Sequence, residues 1–216
     1  MSDNADRARR LVPSIILTVL SMIQAIALEL FWGRLSGSEF LWQGGIGAVI
    51  GWLQFAAMFS GILLIWLMYV NFVLRFTWLP SLEDTLTPFF IGVLEFAMID
   101  LSHPDTVGPW LVLLALTFVI AVFASHTTMR KARKEASNAY FFRQVEPATW
   151  RDYQQSGATV LVLGSLGAVL WIFPHWQWLA VISLLLALLA QGYQYRQAHH
   201  YWLHSIIRPM GQDTDQ

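Results

Sequence analysis

The chain has 216 residues, of which 56% are hydrophobic and 12% charged, with a formal net charge of −1. A soluble domain carries about a quarter of its residues as charges. Half that density, bunched between long apolar tracts, speaks against a soluble globular fold and predicts an integral membrane protein. Cysteine is absent, which excludes disulfide frameworks, zinc-thiolate sites, iron–sulfur clusters and thiol nucleophiles.

Along the chain, Arg7, Arg9 and Arg10 precede an apolar run in which Ala25-Ile26-Ala27 has the spacing of a signal-peptide cleavage site. The run continues through Leu28 to Trp32, which suits a membrane span better. A span needs about 20 mostly apolar residues. Six segments qualify: residues 11–32, 46–73, 85–101, 108–125, 157–173 and 176–195. The third is short and polar. Phe173-Pro174-His175-Trp176 joins the last two as a tight turn rich in interface aromatics.

Charge gives the direction. With the N-terminus inside, the inner segments hold Arg7, Arg9, Arg10, Arg75, Arg130, Lys131, Arg133, Lys134, Arg143, Arg151, Arg196 and Arg208, and the outer segments hold Arg34. This is the bias of the positive-inside rule. It predicts an all-α polytopic bundle of six transmembrane helices with both termini cytoplasmic. The bias, with no cleaved signal, suits a bacterial inner membrane. The chain divides into a four-helix unit (1–125), a basic helical linker (126–156), a helical hairpin (157–195) and a cytoplasmic tail (196–216).

The linker is expected to prolong the fourth span as helix, turn near Val145, and return through a helix start at Glu146-Pro147. Tyr140, Phe141, Phe142, Trp150 and Tyr153 would pack this extension or lie on lipid headgroups. Arg130, Lys131, Arg133 and Lys134 are candidates for contact with anionic headgroups or with a cytoplasmic partner. Ser81 and Asp84 read as a capping box. A second reading makes Glu83 and Asp84 an inner gate that meets Arg75 or the cations of residues 130–134.

Small or polar residues recur at spacings of four and three: Ser14, Thr18, Ser21, Ala25 and Glu29; Gly47, Gly51, Gln54, Met58 and Gly61; Pro88, Gly92, Glu95 and Ile99; Gly157, Leu161, Gly164 and Ala168; Ser183, Ala187 and Ala190. Such seams let membrane helices pack closely, so Gln54 and Glu95 should face protein. Gln24, Gln54 and Glu95 lie at similar depth, roughly 10–13 Å below the outer surface. Glu29 and Asp100 lie nearer the mouth. One outward layer is thus expected to gather all five.

Other chemistry is weaker. His200 and His204 are one helical turn apart, but no second histidine cluster follows. Ser165 has no histidine partner at its depth. "GGIGAVIG" from Gly44 lacks the preceding strand of a nucleotide loop. No metal, cofactor or nucleic-acid partner is expected, and an enzyme acting on lipid would rest on histidines alone. An intramembrane acid points to function. The expectation is a channel or ion-coupled transporter for protons or another small cation, using an outward-facing acidic cavity in the bundle; six spans also suit a channel protomer, which is compatible with a homo-oligomer. Glu95 is central, Glu29 and Asp100 stand at the mouth, and Gln24 and Gln54 line the path. The alternative is a non-catalytic membrane module, a sensor or defence effector, that recruits a partner through its basic extension.

Overall fold

A computed structural model describes residues 3–143 and 145–202. His204, Arg208 and the side chain of Arg10 lie outside the described residues. Every regular element among the described residues is helical: α1 (Asp3–Ser36), α2 (Gly45–Arg75), α3 (Leu82–Asp100), α4 (Val107–Ala132), the short α5 (Ala139–Phe142), α6 (Gln154–Ile172) and α7 (Gln177–Trp202).

Five of these helical segments are long and apolar enough to cross a membrane, those containing α1, α2, α4, α6 and α7. α3 falls outside that group because of charge. Its 19 residues include Glu83, Asp84, Glu95 and Asp100, and any stretch long enough to span holds at least three of them. Its length, about 28 Å at 1.5 Å per residue, is close to the hydrocarbon thickness of about 30 Å.

Neighbouring helices pack in the closed order α1, α3, α4, α6, α7, α2 and back to α1, and α2 also touches α3. Their shared interior is apolar, with Ala27, Ile50, Met58, Met98, Trp110, Leu111, Leu163 and Leu184 among its buried residues. The closest approach joins α4 to α6. A Cβ at Gly167 would stand 2.9 Å from the Gly108 carbonyl oxygen and 3.0 Å from the Val112 nitrogen, and one at Gly108 would strike the backbone of Leu170 and Trp171. Only glycine fits at this crossing, where two backbones meet without side chains between them.

The small-residue seams turn inward on α2, α3 and α7. Gly51, Gln54 and Met58, then Pro88, Gly92, Glu95 and Ile99, then Ser183 and Ala187 are buried. On α1 and α6 the structure differs from expectation. Ser14, Thr18, Ala25 and Glu29 are exposed, while Pro13, Ile16, Leu20, Ile23, Gln24 and Ala27 form the buried face of α1. On α6, Leu161 and Ala168 are exposed and Leu163, Gly167 and Leu170 are buried. The Thr18 hydroxyl donates to the Ser14 carbonyl at 3.0 Å, and Thr159 does the same to Gln155. A hydroxyl satisfied within its own helix can face outward without a partner helix.

At one end of the bundle, α4 runs on to Ala132. The chain then makes a short turn at Ala136–Asn138 and the single-turn α5. Phe76 stacks on Phe142 and meets Phe141 edge-on, with Arg75 4.4 Å above Phe141 and Arg133 4.5 Å above Phe142. Asn138 fastens this linker to the chain after α2, donating to the Thr77 and Ala132 carbonyls at 2.6 and 2.7 Å. Tyr153 hydrogen-bonds His126, whereas Tyr140 and Trp150 are exposed. The return helix begins later than Glu146-Pro147. Thr149 caps it, its backbone N–H donating to Asp152 Oδ2 at 2.6 Å in a capping box, and Trp150–Tyr153 forms the first turn. Proline holds the residue before it extended, so Glu146 stays outside the helix.

Candidate functional site

The site grows from the buried face of α3. Ser81 caps this helix, its backbone N–H donating to Asp84 Oδ2 at 2.8 Å. One turn before Glu95, Gly92 presents no side chain, and a Cβ there would overlap Ile23 of α1. That close approach brings the next residue of α1, Gln24, within reach. Gln24 Nε2 donates to both Glu95 carboxyl oxygens, at 3.1 and 2.9 Å. Glu95 is 0% exposed and Gln24 4%. The amide therefore holds the acid on the inward face, away from lipid, where an unpaired carboxyl would be costly.

On its other side Glu95 borders a cavity of about 20 Å³ lined by Ala57, Met58, Gly61 and Ile65 of α2, Met98 of α3, and Thr117 of α4. A water needs roughly 10–15 Å³ of such volume, so the space accommodates about one. Its wall is apolar apart from the carboxyl and Thr117, whose hydroxyl is engaged with the Leu113 carbonyl at 2.9 Å.

Of the five residues expected in one layer, the structure brings together Gln24 and Glu95. Gln54 is fully buried on the facing side of α2, but neither end of its amide finds a hydrogen-bond partner among the described residues. Trp110 Nε1 is in the same condition. Glu29 and Asp100 are exposed and do not join the pair. Helix geometry explains both: each lies five residues from the buried Gln24 or Glu95, roughly 140° around its helix.

The basic cluster also divides. Lys131 Nζ binds Asp84 Oδ1 and Oδ2 at 3.0 and 2.9 Å and Ser81 Oγ at 2.6 Å. Arg133 donates to the Glu146 carbonyl at 2.8 Å while lying over Phe142. Arg130 and Lys134 are exposed. Arg9 reaches across to Glu135 at 3.2 Å. Lys131 thus supplies the contact between the α3 acids and the cluster.

Two interior polar links escaped the sequence reading. Gln191 Nε2 donates to the Ala57 carbonyl at 3.0 Å, and the Tyr195 hydroxyl to the Ser60 carbonyl at 2.9 Å. Gln191 extends the Ser183–Ala187 seam by one turn, so its burial had a signal. Asn138 had none, because its partners are set by the path of the chain after α2. Among the described residues, no three histidine, aspartate or glutamate side chains gather as a metal site would require. Comparison with known protein families, characterised proteins and solved structures gives no match for this chain.

Proposed function

We propose that this protein moves protons across a membrane through Glu95, with α3 as a sixth span and the linker end facing the cytoplasm. The supporting observation is the fully buried Glu95 carboxyl, hydrogen-bonded to Gln24 and bordering a water-sized cavity. A buried acid in an apolar bundle is costly to keep, which makes it a functional candidate by default. Hard cations such as calcium take about 6–8 oxygen ligands, and this site offers one carboxyl among apolar walls. A proton needs only a single acceptor, so the arrangement favours protons over larger cations. Glu29 and Asp100 lie on exposed faces toward the other end of the bundle and would draw cations to the outer mouth. The cation distribution supports the orientation: Arg75, Arg130, Lys131, Arg133 and Lys134 stand at the linker end, and Arg34 closes α1 at the other.

The test is proton flux into liposomes containing the purified full-length protein, followed with a lumenal pH dye. Glu95→Gln keeps the shape and a hydrogen-bonding partner for Gln24 but cannot shuttle a proton. Its flux is expected to drop to the protein-free rate, and full flux would remove the proposal.

A second reading, recruitment of a cytoplasmic partner, is favoured by the exposure of Arg130 and Lys134. It predicts that neutralising both releases an acidic partner while flux is unchanged.

A further inference from the structure

A buried acid that exchanges protons with one side only is a dead end, so the proton reading requires a route from Glu95 toward the linker end. The helix faces supply one. On α2, Gln54, Met58, Gly61, Ile65 and Tyr69 follow at spacings of four, three, four and four, and so share a face. Met58, Gly61 and Ile65 line the cavity beside Glu95. Tyr69 is the next position on that face, about 6 Å farther toward the linker end. Its hydroxyl is buried and finds no hydrogen-bond partner among the described residues. A buried, unsatisfied hydroxyl carries a desolvation penalty that packing alone does not explain, because phenylalanine would fill the same space.

The companion group is on α3. Asp84 precedes Glu95 by eleven residues, about three turns or ~16 Å, and lies on nearly the same face. Asp84 is 8% exposed, on a helix that packs against both α2 and α4. Its carboxylate is held by Lys131, whose side chain is 25% exposed and so reaches the aqueous surface. From the cavity inward, the seam between α2, α3 and α4 thus carries Glu95, then Tyr69, then Asp84 with Lys131.

We propose that Tyr69 and the Asp84–Lys131 pair form the cytoplasmic arm of the Glu95 proton route. This rests on the proton reading above and specifies its exit. Glu95 releases its proton to water in the cavity. A further water entering between the cavity and Tyr69 relays that proton to the Tyr69 hydroxyl, which passes its own toward Asp84 and so stays neutral. Asp84 passes the proton to solvent beside Lys131, which holds the carboxylate in place.

The deciding variant is Tyr69→Phe, which removes one oxygen atom that has no hydrogen-bond partner among the described residues. In the liposome assay with full-length protein, its proton flux is expected to fall at least tenfold while its melting temperature stays level or rises. Asp84→Asn, which preserves the capping acceptor for Ser81, is expected to lose flux to a similar degree per folded molecule. Wild-type flux in Tyr69→Phe, or in folded Asp84→Asn, with Glu95→Gln inactive, would overturn this exit and leave the proton reading standing. Wild-type flux in Glu95→Gln would remove both.

Discussion

α3 and α6 have the same length, 19 residues, and opposite characters. α3 carries four acids, of which Glu83 and Asp100 are exposed while Asp84 and Glu95 are buried along with Pro88 and Gly92. α6 has no charged residue, yet it exposes Leu161, Trp171 and Ile172, each at least 62%. In water the more apolar helix would be the more buried. In a bilayer the solvent is itself apolar, so bulky hydrocarbon faces outward and polar groups seek one another inside. The contrast teaches that an interior built mainly from apolar side chains can still draw in the seam of a polar helix, while an apolar helix leaves much of its hydrocarbon outside. α3 fails the simple test for a span because of its acids, and one of those acids carries the proposed function.

This contrast can be broken or sharpened experimentally. The largest effect is expected within α6 itself. Leu163→Ala, at a buried position packed in the core, should cost about 2–5 kcal/mol, read as a lower unfolding midpoint in lipid or detergent. Next comes the polar pair. Gln24→Leu strands a buried carboxyl and should cost about 1–3 kcal/mol, whereas adding Glu95→Leu should restore most of that stability, since replacing both partners leaves nothing unsatisfied. A double variant as unstable as the single would show that the pair is not coupled. The smallest effect belongs to the outward face: Leu161→Ala should stay within about 0.5 kcal/mol, and a loss equal to that of Leu163→Ala would mean that α6 packs against another surface.

Much of this architecture was legible in the sequence, for physical reasons. The helical segments follow from apolar length, and the α3 start from the Ser81 and Asp84 spacing. The α2 and α3 seams were legible because glycines there stand level with Gln54 and Glu95, so small size and polarity indicate the same face. α1 misled because Thr18 is satisfied within its own helix, Ser21 accepts from the Trp66 indole of α2, and the bulky face of Ile16, Leu20 and Ile23 is buried. The sequence also placed Glu29 and Asp100 in one layer with the buried pair by depth alone, whereas their angular positions on the helices send them outward. Lys131 was one cation among four in the sequence. Its selection by Asp84 depends on how α4 passes the start of α3, which no local pattern encodes.

The central claim is that one enclosed carboxyl in α3 carries the protons. The most direct measurement compares proton entry into liposomes loaded with wild-type protein and with Glu95→Gln at equal folded amounts, under a potassium-driven voltage. The account predicts rapid acidification for the wild type and only background leak for the variant. Equal rates for the two would contradict it.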